Sequence, residues 1–574
     1  MTEKRWNIKQ LPTTEEENKI VFDLAEQVTK NKTLATLLWQ RGITDFDEAK
    51  TFFRPQLSHL HDPFLMPDMQ LAVDRLNLAI QSGEKILIYG DYDVDGTTSV
   101  AMFYGFLSNH YKNLLFYTPD RYIEGYGVSR KGMEYAHSQG VSLIVTLDCG
   151  IKSVEIIKQT KDEFGIDFIV CDHHEPGDEL PPAVAVLDAK RKDSIYPYNE
   201  LTGCGVGFKL LQAFCQVNKI NEDSLFEYLD LVCTSIACDI VPITGENRVL
   251  AHFGLKKINS DPRIGLKALK EVAGFNGEMS IENVVFGYGP RINAAGRIKH
   301  AEAAVKLLLS DDYDEALDFA HEIQKHNLER RNHDFRITDE AISMIENDEW
   351  LSNQAKSTVL YREDWHKGVI GIVASRCIEK YYRPTIILTQ SNGKAAGSAR
   401  SVVGFNLYEA IEECSHLLEQ FGGHMHAAGL TLPIENIEKF RTEFDLVVSR
   451  KITDSQLIPQ LDIDLVVELS DITPKFYNIV KQMSPFGPHN MQPVFMTEGV
   501  RLANRPFVMK EKHLKLELLD EETGAIITAI GFGMAEAYHQ QLLSNERFSI
   551  AYQIEENNYR GRTTLQLYLK DVKF

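Results

Sequence analysis

The stretch ILIYGDYDVDGTTS, residues 86–99, decides the reading of this chain. An apolar run ends on Gly90, and three aspartates then alternate, Asp91, Asp93 and Asp95, before Gly96. Such a run bounded by a polar cluster reads as a buried strand. Carboxylates packed this closely repel one another, so a cation belongs among them, and hard oxygen ligands select magnesium, manganese or calcium. A calcium loop fails, because the twelfth position from Asp91 is Met102, where a bidentate glutamate is needed. Taken alone, the stretch also fits an ordinary turn, since Asp and Gly mark turns.

Two neighbouring clusters weigh against the turn. "TLDCG" places Asp148 at the end of the next apolar run, and "CDHHEPG" places Asp172, His173 and His174 at the end of the one after. From residue 84 to about 300 strands alternate with helical stretches, the rhythm of a parallel sheet, and such sheets build their sites at the carboxyl ends of the strands. Mixed carboxylate and imidazole ligands suit Mn²⁺ or Mg²⁺. A fourth element, "LFEYLDLVCTSIACDIVP", has helical apolar spacing through Leu225, Leu229, Val232 and Ile236 and ends at Asp239, a further ligand candidate.

At 574 residues the chain divides into several domains. Residues 1–83 read as short helices, including "TLATLLWQRGI" and "LAVDRLNLAIQSG"; 84–310 as the parallel-sheet domain; and 311–350 as a solvated connector helix. Residues 351–452 read as a second α/β domain containing "STVLYRE" and "PTIILTQ", and 453–574 as five strands of an OB-type barrel. The N-terminus lacks a signal-peptide core, no run approaches transmembrane length, and the eight cysteines form no CxxC pair, so a reducing cytoplasm is the expected compartment. The formal charge of −21 weighs mildly against a nucleic-acid partner, although local fields and bound metals outrank the total.

"DYDVDG", the strand-end Asp148, "DHH" and Asp239 together resemble the motifs of the DHH phosphoesterases. The resemblance narrows to that superfamily's bacterial single-strand-specific 5′ exonucleases and extends over nearly the whole chain. It includes "LLWQRGITDFDEAKTFFRP", "GYGPRINAAGR", "WHKGVIGIVASR", "GSARS" and "FGGHMHAAG", the last three similar to a DHH-associated domain. It implies an α/β multidomain fold: a DHH catalytic domain, a long connector helix, an α/β DHH-associated domain and an OB-type barrel. It also implies two divalent ions, Mn²⁺ or Mg²⁺, sharing Asp148 as a bridge, which activate water for in-line phosphoryl displacement. Asp93 would serve one ion and Asp95 the other, with His173 and Asp239 completing the second site. Asp91 is either a direct ligand or orients one. His174 would face the scissile phosphate, and Asp172 would orient a histidine.

For the substrate, the resemblance points to Ser398 and Arg400 of "GSARS" as the grip on a 5′-phosphate and to His424 as a contact from a loop that closes over the site. Arg121, Arg291, Asn293 and Arg297 are further candidates, the arginines because a guanidinium fork suits phosphate. By composition "GSARS" equally fits a tight turn. Phe507, Phe548, Tyr552 and Tyr559 on the barrel and "KHNLERRNHDFR" on the connector fit a strand-tracking surface, although barrel aromatics are more often core than platform. The function implied is a metal-dependent 5′→3′ exodeoxyribonuclease releasing mononucleotides in DNA repair and recombination. A monomer with a helicase and a single-strand-binding protein as partners, away from membranes, completes that expectation. Two alternatives remain: a DHH phosphodiesterase of short oligonucleotides or cyclic dinucleotides, and a nonenzymatic single-strand-binding scaffold.

Overall fold

The apolar run that opens the sequence forms strand β1 (Ile86–Gly90), buried along its whole length. In this computed structural model, which describes residues 3–121, 123–298, 301–544, 546–559 and 561–574, the chain forms two compact units. One comprises Ile43–Leu328 with Lys481–Gln492; the other comprises Met1–Gly42, Glu329–Val480 and Pro493–Phe574.

In the first unit β1 leads into helix α1 (Val94–Ser108), and strands β2 (Leu114–Tyr117), β3 (Leu143–Leu147), β4 (Asp167–Cys171) and β5 (Ala185–Leu187) follow. The sheet runs β2-β1-β3-β4-β5, every pair parallel. Both faces are covered, so the strands carry continuous apolar runs rather than alternation. Ile88, Val145 and Ile169 pack with Phe103 and Phe106, while Leu87, Ile144 and Phe168 face the opposite cluster with Met133 and Ile157. The register places Gly90, Leu147, Cys171 and Leu187 in one row. The next residue of each strand is an aspartate: Asp91, Asp148, Asp172 and Asp188. Helices α2 (Gly203–Asn218) and α3 (Leu229–Cys238) pack against α1 and complete that edge.

The expected N-terminal segment 1–83 is divided after Gly42. Helix Met69–Gln81 buries Met69, Ala72, Val73 and Leu76 in the core of the parallel sheet. The first residues belong elsewhere: strand Arg5–Ile8 pairs in parallel with Gln460–Ile463, and Trp6 Nε1 donates to Asp571 at 2.8 Å.

Helix α4 (Tyr313–Glu346) is continuous over 34 residues. Its middle is not the solvated connector that its polarity predicts. Asp334 is fully buried between Arg376 Nε at 2.9 Å and Arg330 Nη1 at 3.7 Å, and Ile337, Ala341 and Ile345 join an apolar core. His326, Asn327, Arg330 and Asp334 are buried on one side of the helix, while Lys325, Arg331, Asn332 and Arg336 on the other are exposed.

The second unit holds β6 (Thr358–Arg362), α5 (Ile370–Lys380), β7 (Thr385–Ser391), β8 (Lys394–Arg400), β9 (Gln420–His424) and β10 (Ala427–Leu432), in sheet order β9-β10-β8-β7-β6. It also holds β11 (Phe495–Leu502), β12 (His513–Leu519), β13 (Ile526–Gly531), β14 (Phe548–Tyr559) and β15 (Arg562–Lys573). Their order is β11-β14-β15-β13-β12, and β12 pairs back with β11, closing the five into the expected barrel. Two expected barrel contacts are core instead: Phe548 and Tyr552 are buried, Tyr552 Oη bonding Thr497 Oγ1 at 2.8 Å. Inward-facing positions of a small barrel must be filled by side chains. Phe507 is 63% exposed, and the Tyr559 side chain lies outside the described residues. Among the described residues no helix is long and apolar enough to cross a membrane.

Candidate metal centre

Asp93 caps α1, its Oδ1 accepting from the Gly96 amide at 3.0 Å, which turns the chain sharply after β1. Only glycine fits at 96, because a Cβ there would lie 2.3 Å from the Asp91 carbonyl oxygen. Asp95 then sits in the first helical turn and points at the N-terminus of α2. Its Oδ2 accepts from the Gly203 amide at 2.6 Å, and its Oδ1 accepts from Cys204 at 2.9 Å and from Ser235 Oγ at 2.7 Å. A helix N-terminus offers free amides and a favourable dipole to a carboxylate. Gly203 is required as well, since its Cβ would fall 2.5 Å from that of Asp148.

Asp148 leaves β3 in a left-handed conformation, φ 59°, which turns it into the cluster. Asp91, Asp93 and Asp148 form one potential ligand group, and Asp95, His173 and Asp239 a second, with the ligand atoms of each group within 4.8 Å of one another. His173 Nε2 lies 3.3 Å from Asp148 Oδ1, 3.6 Å from Asp239 Oδ2 and 3.8 Å from Asp95 Oδ2. That nitrogen and Asp91 Oδ1 are buried without a hydrogen-bond partner, a costly state for polar atoms. Burial first, and then the neighbouring carboxylates, push the Asp91, Asp148 and Asp239 carboxyls well above their ordinary range; Asp93 is raised by the same causes. Burial lowers the His173 imidazole, leaving it neutral and able to ligate. Crowded carboxylates, a neutral imidazole and orphaned buried atoms fit divalent cations with oxygen and nitrogen ligands.

Asp172 plays a different part. Its carboxylate accepts from the His173 amide at 2.8 Å, the His174 amide at 3.2 Å and the Ile151 amide at 2.9 Å, while His174 Nδ1 lies 2.8 Å from Oδ1. Burial works to raise this carboxyl, but the bond and charge of His174 and the amides outweigh it and hold it low. Burial likewise opposes the charged His174 ring, and Asp172 reverses the sign, raising it. Tyr126 Oη stands 3.1 Å from the His174 ring nitrogens and 3.3 Å from the Asp148 carbonyl.

All the expected ligand residues therefore meet at one edge of the sheet. Arg121 lies beside them, its guanidinium 4.9 Å from the centre of the Tyr92 ring. Arg291 is buried, with Nη1 donating to the Gly287 carbonyl at 2.7 Å; Asn293 is half-buried, and the Arg297 side chain lies outside the described residues. In the other unit "GSARS" is no tight turn: Ser398 and Arg400 lie on β8, with Arg400 Nη1 donating to Ser398 Oγ at 3.0 Å. Arg400, Ala427 and His424 are cross-strand neighbours on β8, β10 and β9, which makes "GGHMHAAG" a hairpin. Sequence reading missed Asp188, which is fully buried; Oδ1 accepts from the Lys190 amide at 2.7 Å, Oδ2 has no partner, and burial pushes the carboxyl up to about 7. Its signal, an apolar run ended by aspartate in "AVAVLDAK", was available. The roles of Gly203 and Ser235 had no such signal.

Fold and site together define a DHH phosphoesterase, and residues 85–236 match the DHH family N-terminal domain while 354–450 match the DHHA1 domain. Residues 463–571 match the RecJ OB domain. The chain is 37% identical over 572 residues to the single-stranded-DNA-specific exonuclease RecJ of Bacillus subtilis, covering 99% of this chain and 70% of that relative. It is 31% identical to the Escherichia coli protein of the same description, covering 88% and 90%. The chain belongs to the RecJ family. The crystal structure of Thermus thermophilus RecJ in complex with Mn²⁺ superposes with a TM-score of 0.84 at 26% identity, covering 99% of this chain and 79% of that one.

Proposed function

We propose that this protein is a metal-dependent exonuclease of single-stranded DNA that works 5′→3′ and releases 5′-mononucleotides. The observation that carries the reading is the convergence of Asp91, Asp93, Asp95, Asp148, His173 and Asp239, with two buried ligand atoms left without hydrogen bonds, in a chain of the RecJ family. Asp91, Asp93 and Asp148 would hold one cation, and Asp95, His173 and Asp239 the other, with Asp148 between them. Bound Mn²⁺ or Mg²⁺ supplies Lewis acidity, lowering the pKa of water and offsetting charge on the phosphoryl oxygens.

The chain's own groups do the rest. Gly203, Cys204 and Ser235 fix the Asp95 carboxylate so that it cannot swing away from His173. Asp172 fixes the His174 ring and favours its charged form, which suits His174 to steady the scissile phosphate or protonate the leaving 3′-oxygen. Arg121 adds positive charge beside Asp91. Ser398, Arg400 and His424 form a polar group suited to a terminal phosphate. A cytoplasmic monomer that receives its strand from a helicase and a single-strand-binding protein, in repair and recombination, belongs to the same reading.

The test is product analysis on a long single strand labelled separately at each end, with Mn²⁺, Mg²⁺ or chelator. Early labelled mononucleotide from the 5′ end alone, abolished by chelator, is expected, with a 5′-phosphate preferred over a 5′-hydroxyl. An intact long strand beside a cleaved dinucleotide would move the protein to the short-substrate phosphodiesterases.

A further inference from the structure

Ile240, the residue after Asp239, has φ 60°. The other left-handed non-glycine positions among the described residues carry Lys, Asp, Asn, His or Glu; Ile240 is the β-branched one. In that region Cβ crowds the backbone, and a second branch at Cβ makes the crowding worse. The same side chain is 67% exposed, so it loses the compensation that packing would give.

The strain does not come from a loose loop. The Asp239 amide donates to the Ser235 carbonyl at 2.9 Å, the Pro242 carbonyl accepts from Tyr198 Oη at 3.1 Å and Asn247 Nδ2 at 3.0 Å, and the Ile243 amide donates to the Pro488 carbonyl at 2.9 Å. The surroundings therefore force the left-handed turn, and glycine or asparagine would satisfy it without strain or apolar exposure. The neighbouring side chain, Asp239, reaches to 3.6 Å from His173 Nε2. An unfavourable residue held rigidly beside a ligand calls for a contact that only the substrate supplies. The candidate ligand groups themselves are carboxylates and imidazoles, and Tyr126, 55% exposed, contributes one ring beside His174.

We propose that Ile240 is a substrate-binding residue, an apolar wall beside the metal centre on which the sugar and base of the nucleotide being cleaved pack. The inference rests on the exonuclease reading and adds the side chain that grips the nucleoside while the cations meet the phosphate. Binding sites of this kind combine apolar walls with a few fixed polar groups.

Ile240→Gly and Ile240→Asn test it, with Ile240→Val as the conservative variant. Each is assayed for thermal midpoint, Mn²⁺ affinity, steady-state cleavage of a 5′-phosphorylated single strand, and binding of a 5′-phosphorylated trinucleotide. The Gly and Asn variants are expected to be at least as heat-stable as the parent, to bind Mn²⁺ within about twofold, and to lose about tenfold in KM and in trinucleotide affinity. Ile240→Val keeps the parent's binding. Parent-like KM and affinity in the Gly and Asn variants overturn the proposal, and so does a defect fully explained by weaker Mn²⁺ binding, which would make Ile240 a support for Asp239. If the parent binds the trinucleotide but leaves long strands intact, the exonuclease reading falls, and the binding comparison still decides Ile240.

Discussion

Two clusters of ionisable side chains lie buried in the same unit, and they are built in opposite ways. Around Lys209 every charge is answered. Its Nζ donates to Glu246 Oε1 at 3.1 Å and to the His61 carbonyl at 2.6 Å; Glu246 also accepts from the His61 amide at 2.8 Å and from Tyr196 Oη at 2.5 Å. Both side chains of the pair are fully buried. Around Asp148 the negative groups outnumber the positive ones: five carboxylates meet two imidazoles, and two buried ligand atoms have no hydrogen bond. The closed cluster ties the chain near His61 and Tyr196 to α2 and the helix beginning at Gly245. The open one is completed only by something the polypeptide does not contain. Burial of charge by itself therefore does not mark a functional site; an imbalance of sign with orphaned ligand atoms does.

The sharpest way to break this contrast is Asp148→Asn, since asparagine tolerates the left-handed turn and removes only charge. Cleavage should fall by at least about 10³-fold, while the metal-free protein becomes more stable by roughly 1 kcal/mol as repulsion is relieved. Single-turnover cleavage and denaturant titration in chelator measure both; parent-like activity would remove Asp148 from the centre. Lys209→Met should do the reverse. It strands Glu246 and should cost about 3–5 kcal/mol of stability, with kcat per folded molecule unchanged. A stable variant with lost activity would mean that the closed cluster also serves the chemistry.

The smallest expected effect is a pH dependence of opposite sign with and without metal. Asp91, Asp148 and Asp239 have raised folded-state pKa values. Their stabilising contribution is complete below the unfolded carboxylate value, about 4, and is lost as pH rises through the raised values. In chelator, lowering the pH from about 8 to about 6 should raise the thermal midpoint of the parent more than that of Asp148→Asn. With Mn²⁺ present, the stabilisation given by the ion should shrink over the same range, because the ligands must be deprotonated to bind. Equal slopes with and without the ion would show that these carboxyls do not hold it.

Strand existence and the convergence of the candidate ligands were legible in the sequence because both rest on local pattern: an apolar run ends at a strand tip, and the residue after it is a candidate for the chemistry. "ILIYG", "LIVTL" and "DFIVC" needed no partner to be read, and the five barrel strands were legible as apolar segments separated by turn signals such as "NNYRGR". The short strands Leu114–Tyr117 and Ala185–Leu187 gave weaker patterns, so Asp188 was missed although it ends its strand as Asp148 does. Polarity misled where pairing is long-range. Asp334 and Arg330 look solvated until Arg376 is found beside them, and only the closed barrel decides that Phe548 and Tyr552 are core while Phe507 is exposed.

The sequence by itself determined the fold class and the residue types that meet at the sheet edge, since these follow from the period of hydrophobicity and from the chemistry carried at strand ends. Tertiary structure alone decided how those residues are held. Parallel register puts Asp91, Asp148, Asp172 and Asp188 in one row, and α2 turns its free amides onto Asp95. The left-handed turn at Ile240 also belongs to this second class. Such features depend on contacts between residues far apart in the chain, about which a local pattern carries no information.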